Sequence, residues 1–126
     1  MKLRLGVAVA LIALSVGAAL FCLFYLERAA DDMADAIRAA MAQAAVESLE
    51  WEPATDEILR LWERDKAFLH ILLPHVNLNE LEWTIGALPE YLRQRDKKLY
   101  IEQCVRGLQC VNTIKDMERP SLGNIF

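Results

Sequence analysis

The chain has 126 residues, of which 55% are hydrophobic and 25% are charged. That length fits one domain, and the composition is too apolar for a disordered protein and too charged for one that lies wholly within a membrane. A formal net charge of −4 gives no reason to expect nucleic-acid binding, and three Cys are too few for a disulfide scaffold.

The amino-terminal part of the chain contains an uncharged apolar run from Leu5 to Leu26. As a helix these residues would extend about 33 Å, which matches the ~30 Å hydrocarbon core of a bilayer. A cleaved secretory signal usually has a shorter apolar region, of about 7–15 residues. The run therefore predicts an uncleaved transmembrane helix at 5–26, preceded by a short cytoplasmic tail at 1–4.

The charges on either side of this run predict its orientation. Lys2 and Arg4 precede it, and the remaining 12 of the 14 basic residues accompany all 18 acidic ones in 27–126, which gives that part a net charge of −6. Because positive charge is retained in the cytoplasm, we expect the amino terminus inside the cell and residues 27–126 outside the cell membrane. The acidic balance argues against a second contact with anionic lipid.

Small residues recur along one face of the apolar run, at spacings of four, three and four. Such a stripe lets two helices approach closely, although Ala and Gly are common in spanning helices in any case. The stripe is a candidate packing surface for two spans, and its members are Gly6, Ala10, Ala13 and Gly17.

Residues 27–126 show helical periodicity almost throughout. No Gly or Pro separates residues 27–50 from the span, so that one helix can continue out of the membrane. Trp51-Glu52-Pro53 then interrupts the pattern, and Pro53 suits the first position of a second helix. The apolar face of this second helix comprises Ile58, Leu61, Trp62, Leu69, Leu72 and Val76.

Two further helices are predicted after Pro74. Asn77 and Glu80 resemble a capping box, and Pro89 is expected to bend the helix that follows. Asp96 suits the cap of the last helix. The apolar seam of the first of these two helices is Leu78, Leu81, Ile85, Leu88 and Leu92, and the buried face of the last is Ile101, Cys104, Leu108 and Val111.

The fold class that these elements predict is all-α. Short connections favour antiparallel neighbours, so we expect an up-and-down bundle of about four helices at 27–126, attached to the amino-terminal transmembrane helix.

Several segments resemble a family of small bacterial membrane proteins, the domain-of-unknown-function family 4363. They are Trp62, His75, the apolar seam from Leu78 to Leu92, Asp96 and the ending at 118–126. The resemblance covers nearly the whole chain and implies a bacterial source, one amino-terminal span and a helical remainder. It implies no activity, and no catalytic residue is carried over from it.

The sequence contains no constellation typical of an enzyme. There is no Gly-x-Ser-x-Gly elbow around a nucleophile, no glycine-rich phosphate loop and no His-Glu-x-x-His zinc motif. We therefore expect a non-enzymatic protein with no cofactor and no resident metal.

Asp65 and His75 are the candidate residues for an alternative function, a small-ligand or metal sensor. Asp65 lies on an apolar helix face, where it either extends to solvent, pairs with an Arg or Lys of a neighbouring helix, or serves as a functional carboxylate. His75 is either a ligand or a helix-end residue bonded to a carbonyl or water. His70 lies five residues earlier, about 140° round one helix, so the two histidines are not expected to share a face.

Two of the cysteines have different expected roles. Cys104 is predicted to be a small core residue, and Cys110 is a candidate for an intermolecular disulfide if it is exposed.

The surface aromatics favour a binding role. Trp83, Ala87 and Tyr91 recur every four residues opposite the apolar seam, and Trp and Tyr are preferred at protein interfaces, although Trp83 could instead lie over a neighbouring helix. Pro120 is expected to end the last helix, after which an apolar tail docks on the bundle or binds a partner. The tail candidates are Leu122, Asn124, Ile125 and Phe126.

The leading hypothesis is therefore a non-enzymatic, membrane-anchored module. It would bind another envelope protein or a second copy of itself.

Overall fold

The computed structural model describes the backbone of residues 1–46 and 51–125 and the side chains of 1–46 and 51–116. These ranges contain helices and no strand, which confirms the all-α class. There are five helices in the described ranges: α1 (Lys2–Ala45), α2 (Trp51–Leu72), α3 (His75–Gly86), α4 (Leu88–Gln94) and α5 (Lys97–Ile125).

α1 is one continuous helix of 44 residues, as the lack of Gly and Pro after the apolar run allows. Residues 2–21 are exposed throughout, whereas the second half is buried at regular intervals from Leu26 to Ala44. By length and composition, α1 is the one helix in the described part of the chain that could cross a membrane.

α2 and α5 both run antiparallel to α1. Along α2, Arg64 pairs with Asp32 and Phe68 contacts Tyr25, with ring centroids 4.5 Å apart. Along α5, Gly107 lies against Ile37 and Lys115 pairs with Asp31. A Cβ at Gly107 would lie 3.2 Å from Ile37 Cδ1, so the missing side chain is what lets α1 and α5 approach.

The end of the bundle near Tyr25 and Phe68 is called the proximal end, and the opposite end is called the distal end. Polar contacts join the helices at the distal end. Thr55 Oγ1 donates to the carbonyl of Trp51 at 2.6 Å, and it therefore accepts the hydrogen bond from Tyr100 Oη at 2.5 Å. The guanidinium of Arg95 lies 5.4 Å from the centre of the Trp51 ring. These contacts hold the start of α2 against the start of α5.

Asp96 caps α5 as expected, because its Oδ1 accepts a hydrogen bond from the backbone N–H of Leu99 at 3.1 Å. Arg95, just before it, has a φ of 56° and ends α4 in the left-handed conformation. The chain thus turns sharply between α4 and α5.

The predicted boundaries of α2 and α3 are wrong in detail. α2 begins at Trp51, so Pro53 is its third residue, still within the first turn, where backbone N–H groups have no partner inside the helix. α3 begins at His75 after Pro74, and Asn77 is therefore inside the helix rather than at its cap. Val76 belongs to α3 and is exposed, not part of the α2 core face.

The single bent helix expected around Pro89 is instead two helices that meet at Ala87. Pro89 lies in the first turn of α4, where its missing N–H costs nothing. Both helices contribute to one core: Leu78, Leu81, Ile85 and Leu88 are buried, and Leu92 is half-buried.

α5 differs from its prediction in two respects. Its buried face also includes Tyr100, Gly107 and Ile114, whereas Ile101 and Leu108 are half-buried. Its backbone continues through Pro120 to Ile125, so the expected end of the helix is wrong, because a proline removes only one backbone hydrogen bond. The side chains of Leu122, Asn124 and Ile125, and all of Phe126, lie outside the described residues.

Candidate functional site

A groove of about 870 Å³ opens between α3 and α5. Trp83 forms part of its α3 wall and is 76% exposed. Thr84 lies behind it and donates from Oγ1 to the carbonyl of Glu80 at 2.7 Å. The lining residues are Val76, Asn79, Glu80, Trp83, Thr84, Gln103, Arg106, Gln109, Cys110 and Thr113.

The two walls of the groove differ in chemistry. The α3 wall combines the apolar Val76 and Trp83 with the polar side chains Asn79, Glu80 and Thr84, whereas the α5 wall is mainly polar, with Gln103, Arg106 and Gln109. Gln103 Nε2 donates to the carbonyl of Thr84 at 3.4 Å, which ties the two walls together at one end. Such a surface, with exposed apolar side chains among polar ones, suits an amphipathic helix.

The three residues of the predicted aromatic row lie in different environments. Trp83 borders the groove, Ala87 is the half-buried joint between α3 and α4, and Tyr91 packs against the core. The row is interrupted because α3 and α4 are separate helices. In the sequence, the α5 wall corresponds to polar residues at three-residue spacing, Gln103, Arg106 and Gln109. Sequence reasoning missed this pattern.

Asp65 is buried, with 3% of its surface exposed, and its carboxylate is fully engaged. Tyr25 Oη donates to Oδ1 at 2.5 Å, and Arg64 donates from Nε and Nη2 at 3.0 Å each. Nη2 of Arg64 also donates to Asp32 at 3.2 Å. The expectation of a basic partner from a neighbouring helix is therefore wrong, because the adjacent Arg64 of the same helix reaches both carboxylate oxygens and the contact from α1 is the Tyr25 hydroxyl.

These contacts keep Asp65 charged. Burial opposes its ionisation, but the hydrogen bonds from Arg64 and Tyr25 outweigh burial and hold the Asp65 pKa below its usual range. The hydrogen bond to Asp65 in turn raises the pKa of Arg64. The adjacent cavity has only about 20 Å³, room for one water molecule. Asp65 therefore joins two helices and does not line a ligand pocket.

His70 and His75 lie close together, contrary to the prediction from their spacing. That prediction assumed one helix, but α2 ends at Leu72 and His75 opens α3 after the turn at Pro74. The two Nδ1 atoms are 3.2 Å apart, and the rings are 5.3 Å apart between centroids. The Trp62 ring lies edge-on to His70 at 6.1 Å.

Asp65 and His75 do not form one site, because the first contacts Tyr25 and the second contacts His70. Among the described residues, no group of three or more His, Cys, Asp or Glu side chains could hold a metal ion.

The small-residue stripe of α1 is not covered by any other described part of the chain. Gly6, Ala10, Ala13 and Gly17 are all exposed, and no atom lies within 4 Å of a Cβ built at either glycine. A second helix could therefore approach this face.

The cysteines of the bundle are free thiols. Cys104 is buried as predicted, and burial raises its pKa to about 12. Cys110 is half-buried at the groove, and burial raises its pKa as well.

The fold and the groove together define an all-α protein in which an antiparallel bundle continues from a long apolar helix. Residues 20–125 match the model of a family described as Domain of unknown function (DUF4363), and the chain belongs to that family. The chain matches no curated protein and no solved structure. Membership confirms the resemblance drawn from the sequence and assigns no activity.

Proposed function

We propose that this protein is a membrane-anchored, non-enzymatic interaction module of the bacterial cell envelope. α1 crosses the cell membrane, and the bundle offers the groove between α3 and α5 to a protein partner. The observation that carries the proposal is the exposure of Trp83 at the edge of that groove. Tryptophan is among the residues that most often dominate binding at protein interfaces.

The anchoring role is supported by the surface of α1. Residues 2–21 are exposed, and half of them carry large apolar side chains, which is unfavourable in water over so long a stretch. By the positive-inside rule, Lys2 and Arg4 support a cytoplasmic amino terminus. The bundle, with its excess of acidic residues, then lies outside the membrane.

The partner is another envelope protein or a second copy of this chain. The groove, where Val76 and Trp83 are exposed among polar side chains, suits an amphipathic helix. The open stripe of α1 supports the second copy, since it would allow two spans to pack closely.

A photo-crosslinking residue at position 83 of the full-length protein tests this proposal in native membranes. We expect one abundant adduct, which identifies the partner or shows self-association. Position 46 is the matched control, because Val46 is also highly exposed and is far from the groove. Equal adduct yields at 83 and 46 would contradict the proposal.

The Trp83→Ala variant adds a second measurement. We expect partner recovery to be lost while helicity stays normal, because Trp83 contributes little to the core. The variant Leu99→Ala, at another exposed apolar position, should leave recovery unchanged.

The histidine pair favours a second candidate function, reversible binding of a divalent transition metal. A metal at about 2.05 Å from both Nδ1 atoms would have an N–metal–N angle of about 103°, between square-planar and tetrahedral geometry. Water would complete the coordination. Asp65, the other residue predicted for this function, is engaged elsewhere and takes no part.

This candidate is tested by titrating the full-length protein with Cu²⁺ and Zn²⁺. Because the chain has only two histidines, His70→Ala and His75→Ala each leave a single imidazole. Each variant should bind roughly tenfold or more weakly, since even outer-shell changes cost about that much. Unchanged affinity in both variants would show that the histidines only contact each other.

A further inference from the structure

The corner between α2 and α3 lies beside the apolar half of α1. Two contacts of Tyr25 show which part of α1 lies beside this part of α2. The Tyr25 hydroxyl donates a hydrogen bond to Asp65, and the Tyr25 ring packs on Phe68. From Asp65, α2 continues for six residues, about 9 Å, in the direction opposite to α1. Counted from Asp65 and from Phe68, Ile71 therefore lies opposite about residues 19–22 of α1, within the apolar run at 5–26.

This corner is largely apolar, and His70 and His75 are its polar side chains. Residues 67–76 contain no Asp, Glu, Lys or Arg. Ile71 is 80% exposed and Val76 is 77% exposed, while Phe21 of α1 is exposed next to Tyr25. The bundle thus presents large apolar side chains at the level where α1 is also apolar and exposed.

Charged residues begin at one common level above this corner. On α1 they begin at Glu27, and on α2 the charged residue nearest the corner is Lys66, which pairs with Glu63. On α3 the first charged residue is Glu80, one turn beyond Val76. A boundary between apolar and charged side chains at matching heights on three helices is the pattern that a membrane surface produces.

The distal end of the bundle differs from the corner between α2 and α3. There the aromatic side chains of Trp51 and Tyr100 are buried, and Thr55 and Arg95 supply polar contacts around them. Among the described residues near that end, the exposed large apolar ones are Val46 and the less exposed Leu99, and each is followed or preceded directly by a charged residue, Glu47 and Lys98. The two ends of the same bundle therefore face different surroundings.

We propose that the corner formed by residues 68–76 inserts into the outer interface of the bilayer that α1 crosses. This inference rests on the proposed anchoring by α1. The contact is apolar rather than electrostatic, which agrees with the acidic charge of the bundle. Insertion needs no separate binding event, because α1 already holds the corner at the membrane surface.

The insertion orients the groove. α3 rises from the inserted corner, with Val76 at its foot and Trp83 about 10 Å higher. The groove between α3 and α5 then opens close above the headgroups, within reach of the membrane-proximal part of another anchored protein.

Depth-dependent fluorescence quenching in phosphatidylcholine vesicles tests the inference on the full-length protein. The native cysteines are first replaced by Ala, and helicity is checked. Single variants Ile71→Cys, Val76→Cys, Val46→Cys and Val16→Cys are then labelled with a small fluorophore. Lipids with a quencher near the headgroup or deep in the acyl chain report the depth of each label.

We expect the labels at 71 and 76 to be quenched several-fold more than the label at 46 by the shallow quencher. Val46 is the matched control for Val76, since both are valines with similar exposure at opposite ends of the bundle. The label at 16 should be quenched by the deep quencher, because it reports the span itself.

The outcomes separate the inference from the anchoring on which it rests. If 16 is quenched deeply and 71 and 76 behave like 46, α1 spans the membrane and the inserted corner is wrong. If 16 is not quenched, the anchoring is wrong as well. If 71 and 76 are quenched only when anionic lipid is added, the contact is electrostatic and apolar insertion is overturned.

Discussion

The two halves of α1 share one helical backbone but have opposite surroundings. Residues 2–21 expose large apolar side chains on every side, whereas from Leu26 onward one face is buried against α2 and α5. The charge content changes at the same point, since Glu27 is the first acidic residue of the chain. A helix therefore needs no break to pass from one environment to another; only its side chains change.

The joint between the two halves of α1 is a set of side-chain hydrogen bonds. Tyr25 belongs to the apolar run, yet it donates a hydrogen bond to Asp65, which Arg64 connects to Asp32. These four residues cross the boundary between the exposed and the buried half. The contrast can be sharpened by variants in each half and in the joint.

The largest expected effect comes from Ile37→Ala in the buried half. Ile37 is 1% exposed and lies against Gly107, so truncation should leave a cavity and lower the free energy of unfolding by about 3 kcal/mol. Ile12→Ala, the same change in the exposed half, should alter it by less than about 0.5 kcal/mol. Chemical unfolding in detergent micelles, followed by circular dichroism, measures both.

Equal destabilisation by the two variants would contradict this contrast. It would mean that residues near 12 pack against protein in the folded state.

A smaller effect is expected from Asp65→Asn in the joint. The variant loses charge-assisted hydrogen bonds from Arg64 and Tyr25, and since Arg64 is partly exposed we expect a loss of about 1–2 kcal/mol at neutral pH. The same unfolding measurement applies. Asp35→Asn, at an exposed position of α1, is a control that should cost less.

The Asp65 carboxylate also predicts a pH dependence. Its pKa is lowered in the folded state, so its stabilising contribution is present above the ordinary Asp pKa of about 3.9. The contribution is lost as the pH falls further, through the lower folded-state pKa. Stability measured from pH 6 downward should therefore decline less steeply in Asp65→Asn than in the native protein, and parallel curves would contradict the assignment.

The smallest effect is expected from Lys115→Gln. Lys115 pairs with Asp31 between α5 and α1 on a partly exposed surface, where such pairs contribute about 0.5 kcal/mol. The difference from the native protein should disappear in high salt, because the charges are then screened. A difference that persists at high salt would indicate that Lys115 contributes by packing instead.

Much of the fold was predictable because the signals are local. The uncharged run to Leu26, the periodicity of the helices and the cap at Asp96 depend on neighbours in sequence, and the structure contains the corresponding elements. The buried positions Leu78, Leu81, Ile85 and Leu88 were also predicted from spacing alone. The family match over 20–125 agrees with the same local features.

Helix ends were predicted less well. Placing the end of α2 at Leu72 rather than beyond Pro74 changed the relation of His70 and His75 from opposite faces to direct contact. A shift of a few residues at a helix end reverses the direction of a side chain, so site geometry near turns cannot be derived from spacing alone.

The sequence by itself determined that this chain is helical, that one helix is apolar enough to cross a membrane, and which faces of the other helices are apolar. Only the tertiary structure decided which side chains come together: Asp65 bonds Tyr25, His70 contacts His75, and Trp83 lies across the groove from the polar wall of α5. The physical reason is range. Helix formation depends on residues three or four apart, whereas each of these contacts joins different helices whose relative position is set by packing of the whole core.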